Sequence, residues 1–326
     1  MRAPEFWRRD GMLPRLLSPL SALWAWGAER RLREAEPFRA QVPVICVGNV
    51  VAGGAGKTPV VIALVRRLRA KGRDVHVLTR GYGGTEVGPR VVDPIRHDAS
   101  RVGDEPLLLA AEAPTWVARW RPDGAAAAVA MGADVLVMDD GFQSAALAKD
   151  LSLLVVDGGY GFGNGRVMPA GPCREPVARA LARADAVVLI GEDEAGVLPL
   201  PVPVPVLRAR LVPGPEAAAL AGRRVFAFAG IGRPEKFFAT VRQAGTEVVD
   251  ARAFADHHPY RAAEIEAMAA EAGDAVLVTT AKDAVRIPAA LCPRVAVLTV
   301  SLAWDDGAAV DRLLDTLAGN REGGGA

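Results

Sequence analysis

Cysteine is scarce in this chain. Cys46, Cys173 and Cys292 are odd in number, far apart and without a Cys-x-x-Cys pair. That spacing argues against a disulfide frame or a zinc knuckle and suits a reducing cytosol. A dominant charge is missing as well: 39 Lys plus Arg face 38 Asp plus Glu, so no global field points to nucleic acid as a partner. Long hydrophobic runs are absent. A spanning helix needs roughly 18 apolar residues, and the longest charge-free candidates are 16–28 and 40–56, both too short. Glu5 and Asp10 stand among the N-terminal arginines with no clean small-residue cleavage site, which argues against a secretory signal. At 326 residues the chain is long enough for two domains with ordinary cores.

What is present is a glycine-rich turn between an apolar run and an amphipathic helix. Val44 to Gly48 reads as a strand, and Gly53-Gly-Ala-Gly-Lys-Thr58 opens a helix whose apolar residues Val60, Val61, Leu64, Val65 and Leu68 recur at helical spacing. Successive amides in such a turn converge on one spot, and the helix dipole adds partial positive charge there. Gly53, Gly54, Ala55, Gly56, Lys57 and Thr58 are therefore candidate nucleotide-phosphate contacts, with Lys57 on the outer phosphates and the Thr58 hydroxyl on magnesium. The strict phosphate-loop pattern places glycine five residues before Gly56, where Val51 stands. A ligand-free turn would leave Lys57 opposing the helix dipole without a reason.

The remaining chain supplies the pieces such a loop needs. Residues 1–40 carry Trp7, Trp24 and Trp26 among arginines; Ser18-Pro19 predicts a helix start running toward Glu34, with Leu13, Leu16, Leu17, Leu20, Leu23 and Trp24 on one stripe. That helix suits a membrane interface or packing on its own domain about equally. Val75 to Thr79 is a strand leading into Arg80-Gly-Tyr82, a loop at a strand's carboxyl end where open α/β sheets place ligands. Val102 to Pro106 starts a helix through about Ala113, which spacing alone explains as a plain helix start. Trp116 to Arg119 and Asp134 to Asp139 read as strands, with an Ala-rich helix from Pro122 to Met131 between them. The paired acids Asp139 and Asp140 at that strand tip suit magnesium. Strands follow at Leu151 to Asp157 and Asp185 to Ile190, separated by the long loop 158–176, of a length that is usually functional.

A proline-rich run from Leu198 leads through an extended connector, 207–212, to a boundary between 213 and 222. Beyond it the expected strands are Val225 to Ala229, Glu247 to Asp250, Ala275 to Thr279 and Val295 to Val300. The expected helices are Pro234 to Ala244, Ala262 to Ala272 and Ala308 to Leu317, before a disordered tail from Asn320. The predicted fold class is α/β: a phosphate-loop NTPase-like, mostly parallel sheet with helices on both faces, plus a smaller α/β domain joined by a β linker. The units are an interfacial segment over 1–40, a phosphate-loop domain over 41–212, and a smaller α/β domain over 213–326, its last helix able to pack back on the first. Asp256-His257-His258 on one loop of the second half is an acid/base candidate facing the phosphate site.

Assembled, these motifs resemble the tetraacyldisaccharide 4′-kinase (lipid A 4′-kinase) family. The resemblance rests on Gly48-Asn49 with Gly53 to Pro59, Arg80-Gly-Tyr82, Val102 to Pro106, Asp139 to Gln143, Arg166 with Met168 to Gly171, Arg174-Glu175, Phe254 with Asp256-His257, and Thr279-Thr280 with Lys282-Asp283. It implies ATP-dependent phosphorylation of the 4′-hydroxyl of an acylated glucosamine disaccharide at the cytoplasmic face of the bacterial inner membrane. ATP and Mg2+ are then required, the N-terminal segment meets the membrane, and no obligate protein partner is called for. Carried over, Asp104 is the base, paired with His257; between His257 and His258 only the family match decides. Lys57 is catalytic; Thr58, Glu105, Asp139 and Gln143 hold the metal; Asn49, Arg80, Tyr82, Arg174 and Glu175 bind substrate. Here Ser144 stands where His is frequent, and Ala281 where Glu is usual. The competing reading is a regulatory GTPase or a cargo-loading ATPase. Adjacent Lys282-Asp283 does not fit guanine-reading spacing, and Ala52 stands where partitioning ATPases carry an extra lysine.

Overall fold

A computed structural model describes residues 4–319; the tail from Asn320 that is expected to be disordered lies outside them. The chain begins with helix α1 (Met12–Arg33), then β1 (Val44–Gly48), α2 (Lys57–Ala70), β2 (Val75–Thr79), β3 (Arg90–Val91), α3 (Ala99–Val102) and α4 (Asp104–Ala110). It continues through β4 (Thr115–Val117), α5 (Arg121–Ala130), β5 (Val135–Asp139), β6 (Leu151–Asp157), α6 (Val177–Leu181), β7 (Ala186–Ile190) and β8 (Val206–Pro213). These strands, with one from the chain's end, form a 9-stranded sheet. Its interior strands pair in parallel, while β3 runs antiparallel to β4 at one edge. The strands β1, β2, β5, β6 and β7 are buried along their whole length. Their continuous apolar runs are what a sheet covered on both faces requires.

Helix α1 begins earlier than the Ser18-Pro19 pair suggests and carries Pro19 in its interior. Ser18 does not cap it: its hydroxyl donates to the Pro14 carbonyl at 2.9 Å, one turn back. Proline thus costs the ladder one amide without ending it. The helix also docks by its polar side. Ser21 Oγ donates to Val167 O at 2.7 Å and accepts from Ala170 N at 3.1 Å, and Arg166 Nη1 donates to Ser18 Oγ at 2.7 Å. Leu13, Leu16, Leu20, Leu23 and Trp26 are left exposed.

The second unit is a 4-stranded parallel sheet built from β9 (Arg224–Ala229), β10 (Glu247–Ala253), β11 (Val276–Thr280) and β12 (Val295–Leu298), in the order β10-β9-β11-β12. Helices α7 (Ala217–Leu220), α8 (Pro234–Gln243), α9 (Ala262–Ala272) and α10 (Ala281–Ala284) accompany it. The stretch expected as one strand from Val295 to Val300 is divided. Its end belongs to β13 (Val300–Trp304), which crosses back and pairs antiparallel with β8 in the large sheet. The expected second domain over 213–326 therefore does not hold the chain to its end. Helix α11 (Gly307–Gly319) lies on α2, where Arg67 Nε donates to Asp311 Oδ1 at 2.7 Å and Val310, Leu314 and Leu317 join the core of the first unit. Two antiparallel strands, β8 and β13, thus connect the units.

If residues 300–319 complete the first unit's core, Leu314→Ala leaves a cavity there. It is expected to lower unfolding free energy by about 2–5 kcal/mol, read as a shifted urea midpoint. An unchanged midpoint would mean that α11 is dispensable to that core.

Candidate active site

The glycine turn sits between β1 and α2. Gly53 and Gly56 adopt φ of 118° and 86°, conformations that side chains resist. Gly48 is required by proximity, because a Cβ there would lie 2.5 Å from Phe142 Cβ. Asn49, expected to meet substrate, is fully buried beneath the turn: its Nδ2 donates to Val51 O at 2.8 Å and Gly53 O at 3.3 Å. It braces the loop because those carbonyls have no other partner within the turn. Lys57 Nζ stands 3.4 Å from Asn49 Oδ1 and 3.5 Å from Asp140 Oδ1, and Thr58 is buried beside it.

At the tip of β5 the two acids separate. Burial, reinforced by the Asp140 charge and opposed by Lys57, pushes Asp139 up to about 7. Asp140 is only half-buried; desolvation raises it, but Lys57 and Arg174 outweigh that and hold it below the ordinary carboxylate range. Asp139 Oδ1 has no hydrogen-bond partner. A buried, orphaned, hard oxygen beside a phosphate cradle fits a divalent cation. Asp140 takes φ of 49°, one of the non-glycine residues in the left-handed region.

Gln143 departs from its expected metal role. Its Oε1 accepts from Arg174 Nη1 at 3.2 Å, and its Nε2 donates to Asn49 O at 2.9 Å and Glu175 Oε1 at 3.1 Å. Its acceptor oxygen is committed to a cation, so it braces Arg174 instead. Glu175 is likewise buried, paired with Arg183, and lies at the wall of the cavity beside Arg174. Arg174 itself lies 3.2 Å from Asp140 Oδ1. Arg80 and Tyr82 stay exposed on the loop after β2, and the Tyr82 ring centroid is 5.7 Å from that of His257.

The second unit enters here. His257 Nδ1 lies 2.9 Å from Asp104 Oδ2, Lys282 Nζ contacts Glu105 Oε1, and Arg286 Nε is 3.8 Å from Asp104 Oδ2. Gly103 lets Asp104 start α4 at this spot: its φ is 91°, and a Cβ would meet Tyr82 O at 2.5 Å. His257 sits in the left-handed region at φ 59°, held by its amide on Gly230 O at 3.0 Å. Backbone strain of this kind persists where surroundings enforce it. His258 turns away onto Glu264 at 3.1 Å and stacks on Phe254 at 4.7 Å, so the adjacent histidines have separate tasks.

The charges are strongly coupled. Burial alone would raise Asp104, but its hydrogen bond with His257, then that with the Glu105 side chain and the Lys282 charge, hold it well below the carboxylate range. His257 is raised, chiefly by its hydrogen bond to Asp104. Glu105 is raised by burial in spite of Lys282. Lys282 is raised because the neighbouring acids Glu105 and Asp104 outweigh its burial.

Arg121 and Arg286 complete the site without having been singled out for it, Lys282 joins it without having been given a role, and Asp140 joins it as half of the acid pair read for magnesium. Arg121 is buried, and its Nη2 donates to Asp139 O at 3.1 Å. The signals in sequence were the Asp139-Asp140 pair and the Lys282-Asp283 pair. Arg121 and Arg286 give none, as arginines are ordinarily solvated. Beside the site, a cavity of about 520 Å³ opens between α1 and the first unit, lined by Trp24, Ala28, Leu32, Trp120, Met168 and Arg174.

The model of the family described as tetraacyldisaccharide-1-P 4′-kinase (LpxK) matches residues 13–318. The tetraacyldisaccharide 4′-kinase of Paramagnetospirillum magneticum is 63% identical over 321 residues, 97% of this chain and 99% of that protein. The enzyme of the same name from Rhodospirillum centenum is 57% identical over 331 residues, 99% and 98% of the two chains. Among solved structures, LpxK from Aquifex aeolicus in complex with ATP is similar with a TM-score of 0.78 at 25% identity, covering 94% of this chain and 99% of that one. Motifs, fold and full-length similarity agree: the chain belongs to the tetraacyldisaccharide-1-P 4′-kinase family.

Proposed function

We infer that this chain is an ATP-dependent kinase that phosphorylates the 4′-hydroxyl of a tetraacylated glucosamine disaccharide 1-phosphate in lipid A biosynthesis. The observation that carries the site assignment is the Asp104–His257 contact, made between two units within electrostatic reach of the phosphate loop. The GTPase alternative loses its reader residue, since Asp283 is fully buried and bonded to Gly230 N and Tyr260 Oη.

The chemistry follows from the charges. Amides from Gly53 to Thr58 and the Lys57 ammonium bind the polyphosphate of ATP. Thr58, Asp139 and Glu105 are the residues that would hold magnesium, which when bound supplies neutralising charge on the transferring phosphates. The family resemblance gives the base role to Asp104. Asp104 is buried with its Oδ2 on His257 Nδ1, which leaves Nε2 of the half-exposed imidazole open to a substrate hydroxyl, so in this reading the roles exchange. Asp104 remains ionised and fixes His257 by its Nδ1; Nε2 takes the proton as the 4′-oxygen attacks the γ-phosphorus and the bond to ADP breaks. Tyr82 and Arg80 flank the entrance, and Arg174 reaches the cavity as well as Asp140.

No helix among the described residues is long and apolar enough to cross a membrane. The stripe of Leu13, Leu16, Leu20 and Leu23 on α1 is instead the surface on which the protein meets the cytoplasmic face of the inner membrane, with Trp24 at the mouth of the cavity that receives part of the acylated substrate.

Lys57→Ala is expected to lower kcat by roughly 10²–10³-fold, measured as ADP formed with lipid disaccharide in detergent; near-normal turnover would remove the loop from catalysis. On the acid side, kcat/KM should rise with pH through a pKa above the ordinary histidine value of 6.5, as His257 loses its proton. Asp104→Asn removes the charge that raises it, so this limb should move to lower pH while the maximum falls; a limb that stays in place would dissociate it from His257. Combining Leu16→Glu, Leu20→Glu and Leu23→Glu should abolish co-sedimentation with anionic vesicles and raise KM for the lipid, with ATP affinity retained. Unchanged sedimentation would reject the membrane reading of α1.

A further inference from the structure

The mechanism so far leaves Lys282 without a task, although it reaches from the smaller unit to Glu105 on the acidic side of the phosphate site. We propose that Lys282 is a catalytic residue of phosphoryl transfer: its ammonium, delivered when the two units close, binds the γ-phosphoryl oxygens and neutralises charge that the phosphate loop cannot reach. The proposal rests on the kinase reading above.

Its backbone is fixed with unusual care. Asp283, the next residue, is fully buried and accepts from Gly230 N at 2.8 Å, Tyr260 Oη at 2.8 Å and Arg286 Nη2 at 2.7 Å. Arg286 Nε donates to the Lys282 carbonyl at 3.1 Å, and its Nη2 to Gly230 O at 3.0 Å. Gly230 O is the same atom that accepts the His257 amide. Lys282 and His257 are therefore mounted on one buried hydrogen-bonded plate, and a movement that brings one to Asp104 brings the other to Glu105. A merely solvated lysine would need no such mounting, and a half-exposed ion pair contributes little by itself.

The side chain is also placed to exchange partners. It keeps 32% of its surface exposed, and its hydrogen bond is to Glu105, which leaves the ammonium further donors. Asp104, Glu105, Asp139 and Asp140 line this pocket, with Lys57 on the loop side and Lys282 on the side of the smaller unit. An arriving triphosphate adds negative charge, and a compact ammonium from the opposite unit is suited to a phosphoryl group whose charge spreads over its equatorial oxygens. No bond of its own forms or breaks: the 4′-oxygen displaces ADP at phosphorus, the proton passes to His257, and Lys282 contributes charge alone.

The test compares wild type, Lys282→Met and Lys282→Arg as full chains, with ATP, magnesium and the acylated disaccharide in detergent. Steady-state kinetics, acceptor-free binding of a fluorescent ATP analogue and thermal midpoints are read together. The methionine variant should lose roughly 10²-fold or more in kcat, with the thermal midpoint and acceptor-free nucleotide binding largely kept. The arginine variant should retain an intermediate rate, and ethylammonium should restore part of the rate of Lys282→Ala. A methionine variant at wild-type kcat overturns the proposal. So does full recovery of kcat in Lys282→Met combined with Glu105→Gln, which would reduce Lys282 to a neutraliser of Glu105. A wild-type chain that forms no ADP with this acceptor would instead fail the kinase reading itself.

Discussion

The contact between Asp104 and His257 is the constraint around which the molecule is arranged. A buried carboxylate is stable only when paired, and Asp104 finds its partners, His257 and Arg286, on the other unit. Asp104 and Glu105 need the cations of the smaller unit, and the left-handed His257 needs the Gly230 carbonyl that also steadies Arg286. Joining the units thus assembles a histidine with a carboxylate at its back, a device that sets both tautomer and basicity.

On the loop side the same physics runs without crossing between units. Asp139 and Asp140 are neighbours with opposite displacements, because Lys57 and Arg174 both face Asp140 while Asp139 keeps an oxygen with no partner. One acid is already neutralised by protein and the other waits for a cation. Gln143, Glu175 and Asn49 stand behind them as braces, holding Arg174 and the turn in place.

Helix α1 inverts the usual amphipathic arrangement. It faces the first unit with Ser18, Ser21 and the Trp24 indole, which donates to Arg174 O at 3.3 Å, and turns leucines outward. A stripe of that kind is costly in water and favourable against lipid. Because Trp24 touches the backbone of a residue bonded to Asp140, helix α1 and the phosphate site share one short path.

By itself the sequence determined the local events: continuous apolar runs make β1, β5, β6 and β7, the glycines after β1 make the phosphate cradle, and Lys57, Thr58 and Asp139 take their places from that register. Such features depend on neighbours a few residues apart, so they are legible in one dimension. The family resemblance, not spacing, singled out Asp104, whose motif reads as a plain helix start. Only the tertiary structure decided that Pro19 lies within a helix, that β13 and α11 return to the first unit, that Asn49, Gln143 and Glu175 brace the site, and that His257 of the smaller unit meets Asp104. Each of those outcomes rests on burial and charge supplied by residues far away in the chain, and a pattern of neighbours carries no record of them.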